Sequence, residues 1–295
     1  MDTFIQLLAN GLMLGALFAI VSVGLTLIFG IVKVVNFAHG EFLMIGMYLT
    51  YLITTKLGLH PLVTVVAVAP LLFVLGLATQ RFIIQPLMSA RDDSIQIFAT
   101  VGLSTALINL ALLIFGAGIA NTPDGGLRTP IQIGPARVLL GQIIILFASI
   151  ALTIGLRLFL QGTRTGRAIR AVAQNRAAAQ LMGVNVNWIY MLTFGIGAAC
   201  VGFAAVMVAP FFPASPGIGT YFVLTAFVVV VLGGLGSIGG AFAGAMIIGF
   251  IDAFASFYVG SDLREVVVFG AFLLVLILKP SGLFSQSLNV SHVSP

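Results

Sequence analysis

Apolar residues fall along this chain in blocks of about 20, separated by short polar stretches that carry most of the charge. About 20 residues is the length an α-helix needs to cross the hydrocarbon of a bilayer. The first block runs from about Phe4 to Phe29, the second from about Val34 to Leu57 and the third from about Pro61 to Ile84. A short loop, Gln85 to Asp93, holds Arg91, Asp92 and Asp93, and a fourth block covers about Ser94 to Gly118. A Gly/Pro-rich loop follows, from Ile119 to Arg137, with turn signals at Pro123-Asp124-Gly125-Gly126. The fifth block is about Val138 to Leu160, and the sixth about Trp188 to Phe212, closed by Pro213 and Pro216. The apolar run from Ile218 to Val259 is too long for one crossing, and Gly233-Gly234-Leu235-Gly236-Ser237-Ile238-Gly239-Gly240 divides it. Either two spans meet there, one of them short, or the glycines form a break buried within the membrane. The last block, about Leu263 to Leu278, is stopped by Lys279, Pro280 and Gly282.

Composition narrows the class. Of 295 residues, 60% are hydrophobic and 7% charged, and 24 are Phe; mean hydropathy is +1.19. Soluble domains carry roughly a quarter charged residues. The short alternating segments of a membrane β-barrel are missing from the pattern. The expected fold is therefore all-α, a polytopic transmembrane bundle with eight to ten membrane-spanning helices. It forms one domain over residues 1–282, followed by a polar, loosely ordered tail over 283–295. The first block follows Met1-Asp2-Thr3 directly, without a basic leader or cleavage pattern, and reads as a retained helix. The single cysteine, Cys200, lies in an apolar span and makes no internal disulfide.

Lys and Arg set the orientation. With the basic loop after the fifth span placed in the cytoplasm, Lys33, Arg81, Arg91, Arg157, Arg164, Arg167, Arg170, Arg176 and Lys279 fall inside. Lys56, Arg128, Arg137 and Arg264 fall outside. This bias predicts an outside N-terminus, a cytoplasmic C-terminus, an external loop at 119–137 and a cytoplasmic loop at 162–187. The formal charge of +5 follows from topology and does not point to nucleic acid.

The cytoplasmic loop is the most informative stretch. Its core, 164–183, is Ala-rich and holds Arg164, Arg167, Arg170 and Arg176. Thr165 is a candidate cap for a first short helix. Asn175 is one for a second, Arg176 to Met182, with Gly183 suited to the position just past its end. Ala178 and its neighbours present a flat surface, and Leu181 and Met182 an apolar knob. Two roles fit: docking into a cleft of a soluble partner, or anchoring to anionic headgroups.

Within the spans the polar residues are few. Asn36, His39 and Glu41 open the second block. Asn36 and His39 share a helix face, and Glu41 lies about 200° round from His39. They are either helix-capping groups or a gate or contact with a partner. Asp252, mid-span among Phe250, Ile251, Ala253 and Phe254, must face protein or water. It is a bond to a neighbouring helix or a pore-lining group, and Asn109 carries the same pair of readings. Glycines repeat at four-residue spacing at Gly11/Gly15 and Gly236/Gly240/Gly244, which permits close helix contact. The 233–240 stretch, with Gly233, Gly234, Gly236 and Ser237, is packing or a hinge and constriction.

Several of these segments carry a resemblance. Gly24-Leu25-Thr26-Leu27-Ile28-Phe29-Gly30 and Val35-Asn36-Phe37-Ala38-His39-Gly40-Glu41-Phe42 form the first pair. Thr165-Gly166-Arg167-Ala168-Ile169-Arg170-Ala171 and Ala179-Gln180-Leu181-Met182-Gly183 form the second. Leu232-Gly233-Gly234-Leu235-Gly236-Ser237 and Lys279-Pro280-Ser281-Gly282-Leu283-Phe284 complete the set. Together they resemble the LivH-type permease subunit of the branched-chain amino acid ABC importers. The resemblance implies that 164–183 carries a coupling helix against an ATPase. It also implies a second related permease, two ATPase subunits and an external or periplasmic solute-binding protein, all in a bacterial inner membrane.

No glycine is followed by lysine, so the phosphate-binding loop Gly-x4-Gly-Lys-Ser/Thr does not occur. ATP hydrolysis is expected on separate subunits, with no cofactor, metal or catalytic residue in this chain. His39, His60 and His292 have no metal-ligand spacing. The expected function is half of an ATP-driven pathway for branched-chain amino acids or related small solutes. The alternative is an ion-coupled secondary transporter or channel, for which Asp252 is the best residue.

Overall fold

The computed structural model describes residues 2–88 and 94–284. Arg91, Asp92, Asp93 and most of the 283–295 tail lie outside the described residues. The chain is mostly helical. Six helices among the described residues are long and apolar enough to cross a membrane. The described helices in chain order are α1 (Asp2–Val32), α2 (His39–Leu57), α3 (Val65–Thr79), α4 (Gln85–Leu87), α5 (Ser94–Phe115), α6 (Leu140–Gly162), α7 (Arg164–Gln174), α8 (Arg176–Leu181), α9 (Val186–Val208), α10 (Ile218–Gly233), α11 (Ile238–Tyr258) and α12 (Arg264–Leu278). A 3₁₀ turn at Pro61–Thr64 leads into α3, and a π-helical turn at Gln80–Ile84 leads out of it, so that 61–87 forms one long apolar rod.

Helix α1 is the centre of the bundle. It packs against α11, α9, α6 and α10, and its residues from Ala16 to Ile28 are almost wholly buried. Lipid tails are as apolar as leucine, so helices in a bilayer gain from tight backbone approach more than from apolar area alone. Glycine supplies that approach here. A Cβ at Gly15 would lie 2.8 Å from Met246 Cα, and one at Gly249 would collide with the Gly15 backbone. On the α9 side, a Cβ at Gly24 would lie 2.5 Å from the Gly197 carbonyl oxygen. The expected close contacts at Gly11/Gly15 are thus found, with Ala245 and Gly249 opposite them. Gly240 and Gly244 do the same between α11 and α10, against Gly233.

The elements end on two opposite faces. On the first, the Gln6 side chain and the Arg137 backbone exchange two hydrogen bonds of 2.9 and 2.7 Å. Arg128 Nε donates to the Pro210 carbonyl at 2.7 Å, and Ala120 pairs with Ala214. Helix α6 begins beside this face, where Gly141 packs on Phe211, and its 23 residues carry it about 34 Å away. On the second face, Gly30 meets Gly236, Gly282 meets Gly234, and the Leu283 N–H donates to the Leu232 carbonyl at 2.8 Å.

Two expectations change, and the two readings of the 233–240 glycine run narrow to the first. The 119–137 loop contains strand β1 (Pro130–Ile133), which pairs antiparallel with β2 (Ala136–Leu139). Gly134 turns between them at φ 59°, which glycine adopts without strain. The second span begins at His39 and not at Val34, because 33–38 is not helical. The glycine run at 233–240 resolves into two separate helices joined by a short turn, with Ser237 Oγ capping α11 by accepting from the Gly240 N–H at 3.1 Å.

Replacing Gly249 by leucine is expected to destabilise the protein by about 1–3 kcal/mol, the usual range for overpacking. Gly155→Leu, where a Cβ meets nothing within 4 Å, is expected to be near neutral. Thermal unfolding of the detergent-solubilised variants, followed by size-exclusion chromatography, distinguishes them.

Candidate functional site

The basic loop folds into an elbow of two short helices. Helix α7 starts after Thr163, whose hydroxyl accepts from the Gly166 N–H at 2.9 Å. The cap is therefore Thr163 and not Thr165, which lies inside the first turn. Gly166 sits directly on Phe159 and Leu160, where any side chain would collide with the end of α6. Ile169 and Val172 are buried beneath the helix. Arg170 Nε donates to the Leu160 carbonyl at 3.0 Å, and Arg167 reaches the Gly162 carbonyl at 3.4 Å. These are among the last carbonyls of α6, which have no partner within their own helix. Two of the four arginines thus fasten the elbow to the bundle.

Helix α8 matches its expectation closely. Asn175 Oδ1 accepts from the Ala178 N–H at 3.0 Å, and Gly183 ends the turn at φ 83°. Ala179 faces inward, and the Arg176 guanidinium lies 5.6 Å from the Tyr190 ring centre on α9. Leu181 and Met182 are 89% and 83% exposed. Arg164, Ala178 and this pair stand on the solvent side. Two neighbouring apolar side chains at that exposure, on a short capped helix, form a surface suited to a complementary cleft.

The second constellation is buried. Lys33 ends α1 in the left-handed conformation, at φ 58°. Residues 33–38 then run back beside α1, and His39 Nε2 donates to the Val21 carbonyl at 3.3 Å. Val21 lies eleven residues before Val32, about 16 Å along the helix. Helix α2 therefore begins alongside the interior of α1 and not at its end. Non-helical backbone at such depth must be satisfied by protein. Asn36 Oδ1 accepts from the Ala38 N–H at 3.1 Å, and Thr100 Oγ lies 3.0 Å from the Val35 carbonyl. That same hydroxyl is 2.9 Å from the Ile97 carbonyl, so its one proton is shared.

Asn36, His39 and Glu41 are all 0% exposed, but they point to different neighbours. His39 faces α1. Glu41 Oε1 accepts from Ser104 on α5 at 3.2 Å, and its Oε2 lies against Gly219 at the start of α10. The shared helix face expected for Asn36 and His39 does not form, because Asn36 precedes the helix. Asn36 caps the turn at Ala38, not α2 itself. Each of the three keeps one buried polar atom without a partner among the described residues: Asn36 Nδ2, His39 Nδ1 and Glu41 Oε2.

A family model described as the permease component of branched-chain amino acid transport systems matches residues 7–277. The chain belongs to that family. It is a permease component of an ABC transport system, a multi-pass membrane subunit that conducts and does not catalyse. Among its relatives are two named high-affinity branched-chain amino acid transport system permease proteins. BraD of Pseudomonas aeruginosa is 33% identical, with 96% of each chain covered. LivH of Escherichia coli K12 is 31% identical, again with 96% of each covered. The ribose import permease protein RbsC of Escherichia coli K12 is 33% identical, but over 40% of this chain and 39% of its own. No solved structure matches this chain.

The remaining candidates of the permease are scattered. Gly233 and Gly234 are buried and Gly236 exposed at the second face. Asp252 lies six residues from the end of α11, about one turn past its middle toward the first face. It pairs with Arg264 Nη1 on α12 at 3.7 Å, and Arg264 also reaches the Tyr221 hydroxyl at 3.3 Å. Asn109 is exposed on α5, and among the described residues it bonds only the Thr105 carbonyl of its own helix, at 2.8 Å. Thr100, Ser104 and Arg264 were not among the expected residues of this permease. The signal for the first two was present as hydroxyls four apart in an apolar helix.

Thr100→Val removes the donor to the half-buried Val35 carbonyl and is expected to lower stability by about 1–3 kcal/mol. Thr100→Ser keeps the hydroxyl and is expected to retain most of it. Melting curves of the two purified variants check this.

Proposed function

We propose that this subunit forms half of the translocation pathway of an importer in a bacterial inner membrane, driven by ATPases that press on the α7–α8 elbow. The observation that carries this is the exposed Leu181–Met182 tip of an elbow whose first helix is bonded to α6 and whose second rests on α9. A loop that merely rests on headgroups has no need of such anchoring. The excess of Lys and Arg on the elbow's side supports an outside N-terminus and a cytoplasmic C-terminus. We count helices α2, α10 and α12 as crossings together with the six long apolar spans, which makes nine.

Family membership supports a second permease, two ATPase subunits and an external solute-binding protein as partners. The binding protein docks on the face built by 119–139 and 209–217, which hydrogen bonds weld into one surface. The cargo is leucine, isoleucine, valine or a related small solute, in line with the names of the relatives. Asn36, His39, Glu41 and the Gly233–Ser237 turn belong to the moving parts of the pathway. Asp252 serves packing, since its carboxylate already has a cation.

Leu181→Glu with Met182→Glu is expected to leave the permease folded while cutting ATPase capture at least tenfold in mild-detergent co-purification. Undiminished capture by the double variant would overturn the coupling role. Asp252→Asn is expected to cost about 1 kcal/mol or less, because Arg264 is partly solvated. Transport by Asp252→Asn in proteoliposomes is expected to remain ATP-driven. Transport by the wild-type chain alone, without ATP and lost in Asp252→Asn, would establish an ion-coupled carrier instead.

A further inference from the structure

Four spans leave broad faces open: α3, α5, α6 and α12. On α3 the exposed residues before the π-helical turn are Val66, Ala67, Pro70, Leu71 and Val74, all apolar. On α6 and α12, Arg157 and Glu265 lie toward the helix ends, and the exposed side chains between the ends are apolar. Helix α5 differs. Thr105, at its middle, and Asn109, one turn on, both stand exposed, with the open Gly102 one turn before them.

Each polar side chain bonds a carbonyl of its own helix, Thr105 to Val101 at 3.0 Å and Asn109 to Thr105 at 2.8 Å. Those bonds use one hydroxyl proton and one amide N–H. Asn109 Oδ1 and its second N–H have no partner among the described residues. An amide left so in hydrocarbon costs roughly 1–3 kcal/mol on protein scales, and polar groups inside membranes accordingly face protein or water.

The helix is also thinly held by its own subunit. Only 11% of its most apolar window is buried, against 83% for α1. Its attachments to α2 and the segment before it are Thr100 to Val35, Ser104 to Glu41, and the stacking of Phe115 on Tyr48 at 4.0 Å between ring centres. A spanning helix so sparsely packed, with an unmet amide on its open side, lacks a neighbour there among the described residues.

We propose that the Gly102–Thr105–Asn109 face of α5 is the seam with the second permease subunit, resting on the function proposed above. Its occupant is a transmembrane helix of that subunit which approaches closely at Gly102 and offers a hydrogen-bonding side chain to Asn109. The opposite side of α5 holds Val35 and Glu41 through Thr100 and Ser104. The seam is therefore one helix thickness from the buried segment that starts α2.

The test is photo-crosslinking in the assembled transporter, with a photoreactive residue at Asn109 and, as controls, at Val74 on α3 and Leu273 on α12. The expected result is a crosslinked pair of permease subunits from position 109 and lipid adducts from 74 and 273. Lipid adducts from 109, with a permease pair from 74 or 273, would overturn the seam while leaving the ABC function intact. A purified complex that contains neither a second permease nor ATPases would defeat the function itself, and the seam with it. Asn109→Leu is expected to weaken pairing about threefold to thirtyfold, the range of one interhelical hydrogen bond in a membrane. Asn109→Gln is expected to restore most of it. Equal pairing by wild type and Asn109→Leu would overturn the bond.

Discussion

Backbone contact around α1 is the constraint on which the rest of this fold depends. Within a bilayer, burying one more leucine gains little, because the alternative surroundings are equally oily. What remains is dispersion between atoms that come very close, and glycine is the residue that lets two helix backbones do so. Gly11, Gly15 and Gly24 on α1 face Phe250, Gly249 and Gly197 at distances no side chain would tolerate. With α1 clamped between α9 and α11, the positions of α10, α6 and the start of α2 follow, since each of them leans on it.

The same constraint explains the polar sequence at 35–41. Once the chain turns back at Lys33 and runs inside the bundle, its peptide groups are out of reach of bulk water. Thr100 and the Asn36 side chain meet part of that need, and His39 fixes the new helix to the old one. The segment remains incompletely satisfied, with three buried polar atoms unpaired among the described residues. Buried polar groups left in this state are rare in folded proteins and fall most often at functional or strained sites. They sit where α1, α5 and α10 converge.

Much of this was legible in the sequence because its strongest signals are local. Twenty-residue apolar blocks gave the helical class. Asn175 and Gly183 marked α8 because caps act within three or four residues. The small-residue spacings located the contacts of α1 and α11. Features that depend on distant partners were hidden. That 33–38 leaves the helix is decided by Val21 and Thr100, one before the segment and one more than sixty residues beyond it. The hairpin at 130–139 is fixed partly by Gln6. Asp252 looked like a lone carboxylate at mid-span, because its partner comes from the next helix, after a turn. Thr163 displaced Thr165 as the cap because Gly166 must lie flat on Leu160.

The attachment of the elbow has a mechanical consequence. Arg167 and Arg170 grip the end of α6, and Arg176 rests on Tyr190 of α9. A load applied at Leu181 and Met182 is thus divided between a helix that lies mostly at the periphery and one locked into the core. The peripheral helix can tilt at little loss of packing, whereas the core helix resists. Under the coupling proposed above, the elbow would act as a lever with α9 as fulcrum and α6 as long arm, whose far end lies some 34 Å away, where Gly141 meets Phe211.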